Sequence, residues 1–401
     1  MDSTAPLAGV RVADFGQFIA APLCAALLGD MGAEVVRIER PGGSEDRAVT
    51  SLFPRPDGRP GEGPSFLQHN RNKRGLAIDI TSPEGGDVIR RLIEWADIVV
   101  VNFPRQVLEK LGLDFASVHR VNKRAILVTS TAFGAEGPYA DRVGFDPIAQ
   151  AMSGVTWFSG TPERPQRTQA TWVDFATGMM GAFGAVAALR AREQTGLGQA
   201  VATSLFGTAL NVFNAYLMEQ AVTSPNRVPH GNRAHTAAPA DVFRCRDGWI
   251  FTAVQTNAIF RRWTRAIGAP ELFDDPRFAD DVSRGVHGGI LSGRMQAWCD
   301  QRTVAEAIAA LEAERVPAGP VYNLDQVLND PHVVATGAFV PVEFPGIGQP
   351  APIARPPVSL SGYEPDAIRR APLVGEDNDG VLRELGLDVA TLADWRVRGI
   401  I

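Results

Sequence analysis

One aspartate has a sequence context that suits nucleophilic chemistry. Asp174 follows a short apolar, strand-like stretch, residues 170–173, and precedes a run rich in Gly and Ala over residues 176–191. The small residues of that run predict a closely packed helix, with Asp174 at or just before its N-terminus. Unpaired amides and the helix dipole stabilise negative charge there, so we expect an ionised carboxylate at neutral pH. Such a carboxylate can attack an activated acyl group, or it can simply cap the helix.

Basic residues form a second candidate group. The five residues 70–74 include three cations and lie just ahead of a predicted strand. A basic run of this kind is either a solvated surface or a set of donors for a phosphorylated ligand such as coenzyme A. Arg37 and Arg40, near the end of another predicted strand, are similar candidates. Arg40 is the better placed, because it lies in the turn formed by residues 39–43.

The elements that must hold these residues alternate between strand and helix along the first part of the chain. Such alternation gives parallel βαβ units, and hence an α/β fold with a doubly wound parallel sheet. Ligands of these sheets bind at the carboxyl ends of the strands, where Asn102 and Thr131 fall. The predicted strands cover residues 10–15, 33–39, 75–80, 97–102 and 125–131, and the predicted helices cover residues 20–31 and 83–96.

The pattern changes after Asp174. Residues 204–221 predict a helix, and residues 223–239, rich in Pro, Asn and His, predict a long connector. Two apolar runs flank Asp247-Gly248 and predict a hairpin over residues 241–254. Further helices are predicted over residues 258–267, 291–300 and 304–314, which gives a smaller α+β domain.

Composition limits the class of protein. The chain has 401 residues, a net charge of −6 and 45% hydrophobic residues, which is typical of a globular protein of two or more domains. Its mild acidity argues against nucleic acid as a partner. Three widely spaced cysteines suit neither a disulfide framework nor a metal site, and indicate a reducing, cytoplasmic location. We expect no signal peptide, no segment long and apolar enough to span a membrane, and therefore a soluble protein.

Several common catalytic patterns are missing. The first predicted strand is followed by residues 14–21 without the G-x-G-x-x-G turn of dinucleotide-binding proteins, and the sequence has no Walker A motif. None of the six histidines belongs to a nucleophile elbow or to H-E-x-x-H. Dinucleotide binding, metal catalysis and a Ser/His triad therefore have no sequence support, and we predict no metal site.

Many short segments occur in an order that is specific to one family. They cover residues 6–14, 20–22, 32–43, 70–74, 96–97, 102–103, 111–113, 133–134, 137–139, 145–154, 195–199, 204–206, 231–233, 317–321, 330–332 and 371–376. Taken together they resemble the family III CoA-transferases, the formyl-CoA and carnitine type. The resemblance runs nearly end to end.

The resemblance implies a reaction. Asp174 matches the nucleophile that becomes a covalent aspartyl-CoA thioester. The chain is then an enzyme, a CoA-transferase of EC 2.8.3 type, that moves coenzyme A from an acyl-CoA to a small carboxylic acid. Succinyl-CoA is a plausible donor, because several branches of the family use it. The CoA thioester is a substrate, and no permanently bound cofactor is expected.

The resemblance also implies the residues that line the site. The loop after the first strand, the turn after the second, and segments after later strands match CoA-binding positions, and Asp146 matches an acidic residue near the nucleophile. The implied cofactor-binding residues are Phe18, Ile19, Ala20, Arg40, Ile78, Thr81, Asn102, Phe103, Pro104, Lys110 and Asp146. Two segments depart from the family pattern. The loop 102–106 does not follow N-F-R-P-G, and residues 231–235 replace the glycine-rich lid of the formyl-CoA branch, which argues against oxalate or formate as substrate.

The family's architecture implies a Rossmann-like large domain built from both chain ends, and an interlocked homodimer. The predicted division is residues 1–208 for the large domain, 209–235 for a linker helix and loop, 236–322 for the small domain, and 323–401 for a linker and a C-terminal part that returns to the large domain.

Two other functions remain open from the sequence. A 2-methylacyl-CoA racemase of the same superfamily uses a histidine in a G-H-D sequence, whereas this chain has Gly144-Phe145-Asp146 there and so lacks the base. A CoA-binding protein without turnover is the other alternative. Arg167, Arg233 and His235 either bind a second substrate carboxylate or are solvated loop residues.

Overall fold

The strands and helices follow the apolar patterns of the sequence closely. The computed structural model describes residues 5–54, 61–365 and 367–401, so the first four residues of the stretch considered for a signal peptide lie outside it. The strands are β1 (Arg11–Asp14), β2 (Glu34–Glu39), β3 (Lys73–Ala77), β4 (Ile98–Val101), β5 (Ile126–Thr131), β6 (Ala200–Ser204), β7 (Ala240–Arg244), β8 (Trp249–Ala253), β9 (Ala318–Pro320), β10 (Phe339–Val342) and β11 (Ala351–Ala354).

Helices surround these strands. They are α1 (Ala20–Asp30), α2 (Pro64–His69), α3 (Pro83–Trp95), α4 (Arg105–Leu111), α5 (Phe115–Val121), α6 (Asp146–Met152), α7 (Val155–Phe158), α8 (Trp172–Thr195), α9 (Leu205–Thr223), α10 (Thr256–Ala266), α11 (Asp281–Val286), α12 (Gly288–Cys299), α13 (Val304–Ala313), α14 (Leu324–Leu328), α15 (Pro331–Ala335), α16 (Asn378–Glu384) and α17 (Val389–Val397). Short 3-10 helices cover Glu45–Ala48, Pro270–Phe273 and Pro276–Phe278.

Two compact units are present. The first contains Met1–Ser153, Gln169–Asn214 and Gly337–Ile401, and the second contains Gly154–Thr168 and Ala215–Thr336. The domain limits that we predict from the sequence stay a prediction.

A six-stranded parallel sheet forms the centre of the first unit. The strand order is β3-β2-β1-β4-β5-β6, and each neighbouring pair is parallel. The predicted doubly wound α/β sheet is confirmed. Strand β4 shows why it forms: Ile98 and Val100 pack into one apolar layer, whereas Val99 and Val101 pack into the layer on the opposite face. A continuous apolar run is what a strand covered on both faces requires.

Helices cover both faces of this sheet. Residues of α3, α5, α16 and α17 form one layer, in which Leu92 and Leu382 are fully buried. Helices α1 and α8 form the opposite layer. These two helices approach closely, because a Cβ atom at Gly178 would lie only 2.7 Å from the carbonyl oxygen of Ala20. The Gly and Ala residues after Asp174 therefore serve helix–helix contact.

Three predicted elements needed correction. The third strand is predicted over residues 75–80, but β3 covers Lys73–Ala77. The charge of Lys73 does not indicate a strand in the sequence, whereas in the structure this side chain is buried. The predicted helix over residues 204–221 is preceded by β6, a half-polar strand at the sheet edge. The stretch 170–173, predicted as strand-like, contains the start of α8, and α8 also extends beyond residues 176–191.

Helix α8 is longer than the sequence pattern predicts. With 24 residues, it is long and apolar enough by length and composition to cross a membrane, so the expectation that no segment has this property was wrong. The core helix of a soluble protein meets the same criterion. In this molecule α8 packs against α1 and against strands β5 and β6 of the central sheet.

The second unit has its own core. Strands β7, β8 and β9 form an antiparallel sheet, and the predicted β7–β8 hairpin is confirmed. The helices predicted over residues 258–267, 291–300 and 304–314 are confirmed as α10, α12 and α13. Phe243, Ile250 and Trp263 lie in an apolar cluster that these elements share.

Candidate active site

The predicted site residues gather at the carboxyl edge of the parallel sheet. Loops that leave β1, β2, β3 and β4 carry most of them, and the loop after β5 leads to Asp146. The start of α8 lies at the same edge, because its C-terminus leads directly into the start of β6, which runs parallel to β5. The strand order reverses between β1 and β4, and ligands of doubly wound sheets bind at such a point.

Asp174 is the third residue of α8, inside its first turn. Thr171 occupies the N-cap position and makes no side-chain capping bond. The Asp174 carboxyl group is partly buried, and it makes no hydrogen bond or ion pair with any residue that the structure describes. The capping interpretation of Asp174 is therefore wrong.

Asp146 supplies the cap instead. Its Oδ2 accepts hydrogen bonds from the amides of Val173 at 2.8 Å and of Asp174 at 3.1 Å. Its Oδ1 accepts a hydrogen bond from Nε2 of Gln150 at 2.5 Å. The side chain is 1% exposed. Asp146 therefore fixes the start of α8 and brings a second carboxylate close to the first.

The surroundings of Asp174 favour its neutral form. Burial, followed by the nearby charge of Asp146, raises the pKa of Asp174 from 3.8 to about 7. The expectation that the helix N-terminus keeps this group fully ionised at neutral pH was wrong, because the first amides of α8 bind Asp146. A carboxyl group with a pKa near 7 exchanges its proton readily at neutral pH, which is a property of catalytic groups.

The loop after β1 lies beside the loop after β4. The side chain of Asn102 accepts a hydrogen bond from the amide of Gln17 at 2.9 Å and donates one to its carbonyl oxygen at 2.7 Å. Ile19 and Ala20 are buried at the start of α1. The Phe18 ring packs edge-on against that of Phe145, with centroids 5.4 Å apart. The structure thus brings the β1 loop, the β4 loop and the segment before Asp146 together.

Other predicted CoA contacts differ in their exposure. Arg40 is exposed, donates from Nε to the carbonyl oxygen of Gly43 at 2.6 Å, and lies 3.8 Å from Glu45. Lys110 is exposed in the last turn of α4. Its ammonium group makes no ion pair with a residue in the described ranges. These two cations are available to bind phosphate groups.

The remaining predicted contacts lie in the β3 and β4 loops. Ile78 is fully buried in the core, which leaves only its backbone for a ligand. Thr81 is exposed and donates its amide and hydroxyl protons to Asp79. Phe103 packs against the core, and the exposed Pro104 is the N-cap of α4.

The basic run is neither a phosphate site nor a solvated surface. Lys73 is 1% exposed and bonds Asp14 at 2.8 Å, and Arg71 is 3% exposed and pairs with Asp30. Arg74 pairs with acidic side chains from β2 and α16. Both interpretations of residues 70–74 were therefore wrong, since Arg71 and Lys73 bind buried carboxylates and Arg74 binds the partly exposed Glu34 and Glu384.

Arg37 belongs to the same buried network. Its guanidinium group is fully buried and lies 2.9 Å from Asp46, so it does not serve a ligand as we predicted. Sequence reasoning missed Asp46 altogether. The clue was available in the apolar β2 run, because a charged side chain inside such a run requires a buried partner.

His69 is another residue that the sequence did not single out. Its ring packs edge-on against that of Phe175, with centroids 5.1 Å apart. Burial, together with the charges of Lys73 and Arg71, lowers the pKa of His69 to about 3, so the ring is neutral. Its Nε2 atom is buried and makes no hydrogen bond within the described part of the chain.

The second unit contains the three residues whose role the sequence left open. The rings of His230 and His235 lie 4.0 Å apart, and burial, followed by the His230 charge, lowers the pKa of His235 to about 4. The side chain of Arg233 lies against Gly288 at the start of α12. Arg167 donates to the carbonyl oxygen of Thr168 at 2.9 Å. Within the described residues, no cluster of three or more His, Cys, Asp or Glu is placed to hold a metal ion.

Comparison with known proteins identifies the family. The sequence profile of CoA-transferase family III matches residues 7–378. The succinyl-CoA–L-malate CoA-transferase beta subunit of Chloroflexus aurantiacus is 33% identical over 405 aligned positions, covering 100% of this chain and 99% of that one. The succinate–glutarate CoA-transferase of Agrobacterium fabrum is 32% identical over 387 positions, covering 95% and 96%. The crystal structure of a CAIB/BAIF family protein from Brucella suis has a TM-score of 0.83 at 29% identity, covering 95% of this chain and 99% of that one.

The chain belongs to CoA-transferase family III, which confirms the resemblance seen in its sequence segments. It is an enzyme of the EC 2.8.3 type, and its substrates include coenzyme A thioesters.

Proposed function

We propose that the enzyme transfers coenzyme A through a covalent thioester on Asp174. The observation that carries this proposal is the state of that carboxyl group. It is partly buried beside Asp146 at the carboxyl edge of the sheet, and it makes no bond to another described side chain. A structural carboxylate at this depth needs a partner, whereas a nucleophile must be left free to react.

Each step of the proposed reaction balances. The Asp174 carboxylate attacks the thioester carbonyl of the donor, which gives a mixed anhydride and releases the CoA thiolate. The thiolate attacks the aspartyl carbonyl, so the donor acid leaves and an aspartyl-CoA thioester remains. An acceptor carboxylate then attacks this thioester, which gives a second anhydride and releases the thiolate. The thiolate attacks the acceptor's acyl carbon, so the new acyl-CoA forms and the Asp174 carboxylate is regenerated. The anhydrides hydrolyse easily, so the site must exclude water and hold the thiolate close.

We propose succinyl-CoA as the donor and a small dicarboxylic acid as the acceptor. Two relatives that align along nearly the whole chain carry succinyl-CoA with L-malate, or succinate with glutarate, in their names. Arg40 and Lys110 are the exposed cations that we assign to the phosphate groups of coenzyme A. The other predicted contacts at the sheet edge, including Asn102 and the loop from Phe18 to Ala20, complete the proposed CoA site.

The position of Phe145 argues against racemisation. A racemase needs a general base there, but the phenyl ring of Phe145 has no group that exchanges protons, and it packs on Phe18 instead. The residue is 50% exposed. Asp174 would then be left without the second group that moves the α-proton.

We also propose that the enzyme is an interlocked homodimer. One side of α8 exposes a stripe of large apolar residues, in which Phe183 is 69% and Met180 is 51% exposed. Such a stripe requires a cover in a soluble protein. The cytoplasmic location stays a prediction.

Trapping the covalent intermediate tests the mechanism. The protein is incubated with succinyl-CoA, treated with hydroxylamine, and analysed by intact mass and peptide mapping beside Asp174→Ala. Hydroxylamine converts an aspartyl thioester to a hydroxamate, so we expect a small mass gain on the peptide that contains Asp174, absent from the variant. A panel of acyl-CoAs that leaves no adduct, together with exchange of the α-proton of a 2-methylacyl-CoA in deuterated water, would overturn the proposal.

A further inference from the structure

Phe18 adopts an unusual backbone conformation in the loop that joins β1 to α1. Its φ angle is +65°, in the left-handed region that costs about 1–2 kcal/mol for a residue with a side chain. The amide of Phe18 donates a hydrogen bond to Oδ2 of Asp46 at 3.1 Å. Asp46 is only 3% exposed, so water does not compete for this bond. The buried carboxylate therefore helps to hold a strained backbone in place.

Asp46 is in turn fixed by Arg37. Nη2 of Arg37 lies 2.9 Å from both carboxylate oxygens, and the two side chains are 0% and 1% exposed. Nη1 of Arg37 donates to the carbonyl oxygen of Gly16 at 3.0 Å, two residues before Phe18. The ion pair thus binds the loop through two hydrogen bonds. Asp46 accepts one from the amide of Phe18, and Arg37 donates the other to the carbonyl oxygen of Gly16.

The loop lies against the elements that place Asp174. Its last residue leads into Ala20, whose carbonyl oxygen is so close to Gly178 that a Cβ atom there would be only 2.7 Å away. Gly178 lies one helical turn beyond Asp174. On the other side, the Phe18 ring contacts Phe145, which directly precedes the residue that binds the first amides of α8.

We propose that Asp46 is a positioning residue for acyl transfer. Acting through the amide of Phe18, it fixes residues 16–19 against the start of α8 and so sets the distance between this loop and the reacting carboxyl group. Displacement of a reacting group by about 1 Å can lower a rate by about 10²-fold. The inference rests on the proposed role of Asp174 as the nucleophile.

A matched ion pair in the same unit provides the control. Asp30 pairs with Arg71, and both side chains are 4% exposed, so this pair is buried almost as deeply as Arg37–Asp46. Asp30 ends α1, and the 11 residues of that helix place it about 15 Å along the axis from Ala20. Removing either carboxylate leaves a buried arginine without its paired acid, but of the two carboxylates only Asp46 contacts the loop of residues 16–19.

The experiment compares Asp46→Ala with Asp30→Ala in the full-length enzyme. Three quantities are measured: stability in urea, kcat at saturating succinyl-CoA and acceptor, and the rate at which hydroxylamine-sensitive adduct forms on Asp174. We expect a similar loss of stability in both variants. Only Asp46→Ala should lower kcat and the rate of adduct formation, by about 10²-fold if the loop shifts by about 1 Å.

The outcomes separate this inference from the proposed function. If folded Asp46→Ala has the kcat of the wild type, or if Asp30→Ala loses kcat equally, Asp46 has only a structural role and the inference is wrong. If wild-type enzyme forms no adduct on Asp174, the proposed function fails instead. Should Asp46→Ala not fold, Asp46→Asn keeps the shape of the side chain and removes its charge; a lowered kcat supports the inference, and an unchanged kcat overturns it.

Discussion

The carboxylates around β1 to β3 and the carboxyl groups at the start of α8 are buried in the same unit but have different partners. Asp14, Asp30 and Asp46 each lie 2.5–2.9 Å from a buried cation. Asp174 faces no cation in the described residues, and its charged neighbour is the like-charged Asp146. In the first region, ion pairing offsets the cost of burial and the groups act as structure. In the second, burial is not offset, and the pKa of Asp174 rises to about 7.

This difference shows how a functional carboxylate can be separated from structural ones. Charge, burial and position near the sheet do not distinguish the functional carboxylate from the structural ones, because both regions have all three. The presence or absence of a paired cation does distinguish them. A buried acid without a cation keeps an energetic cost in the folded state, which is a reason to look for a reaction there.

Removing the Asp174 carboxylate is the strongest test of that difference. We expect Asp174→Ala to lower CoA transfer by about 10⁴-fold or more, since the covalent route needs the attacking oxygen. The variant should fold normally, because the side chain makes no bond within the described residues. Steady-state transfer from succinyl-CoA, with circular dichroism as the folding check, measures both. Substantial residual transfer would show that another group is the nucleophile.

Breaking one of the buried ion pairs around β1 to β3 should lower stability rather than activity. Lys73 binds Asp14, Asn70 and the carbonyl oxygen of Pro22, and it is 1% exposed. Lys73→Met leaves the Asp14 charge buried without its partner, which typically costs about 3–5 kcal/mol.

Arg74→Met is the matched control for Lys73→Met. Its ion pairs with Glu34 and Glu384 are partly exposed, and such pairs contribute about 0–1 kcal/mol. Urea unfolding at pH 7 compares the two variants. Equal losses of unfolding free energy in the two variants would show that the buried ion pair of Lys73 does not contribute more to stability than the partly exposed pairs of Arg74.

The same contrast explains which features the sequence predicted. The parallel sheet was predictable because β4 is a continuous apolar run and because the strand patterns alternate with helix patterns along the chain. The role of residues 70–74 was not, because three cations in five residues look the same whether they face solvent or buried acids. Their partners Asp14 and Asp30 are far away in sequence, and a single chain without its fold does not show such pairs.

For the candidate site, the sequence predicted that Asp174 lies at the start of a helix, but not its state of ionisation. Its Gly- and Ala-rich surroundings singled Asp174 out, and its role as the nucleophile stays a prediction. Its ionisation was predicted wrongly, because only the folded chain shows that Asp146 takes the first amides of α8. Long-range hydrogen bonds of this kind leave no periodic pattern in the sequence.

A substitution of Asp146 tests how its charge affects the titration of Asp174. The rate of adduct formation should rise with pH through about 7 in the wild type, because Asp174 reacts as the carboxylate. Asp146→Asn removes the like charge, so the midpoint of this profile should move to lower pH. The weaker hold on α8 should also lower the limiting rate by about 10-fold. An unchanged midpoint would mean that Asp146 does not influence the titration of Asp174.

The smallest expected effect is on stability and has a definite sign. The folded state raises the pKa of Asp174 to about 7, so its neutral form is favoured on folding. The contribution of this group to stability is complete below its unfolded pKa, near 3.8, and is lost as the pH rises through about 7. Asp174→Asn stays neutral at every pH, so it should be more stable than the wild type at pH 8 by about 1–2 kcal/mol, allowing for partial exposure, and by a smaller amount at pH 5, which lies between the two pKa values. Asp30→Asn, which breaks a buried ion pair, should instead destabilise the protein at both pH values, and urea unfolding of the three proteins at pH 5 and pH 8 measures this. If Asp174→Asn gains nothing between pH 5 and pH 8, the ionised Asp174 carboxylate is not costly in the folded protein, and the contrast between the two regions loses its energetic basis.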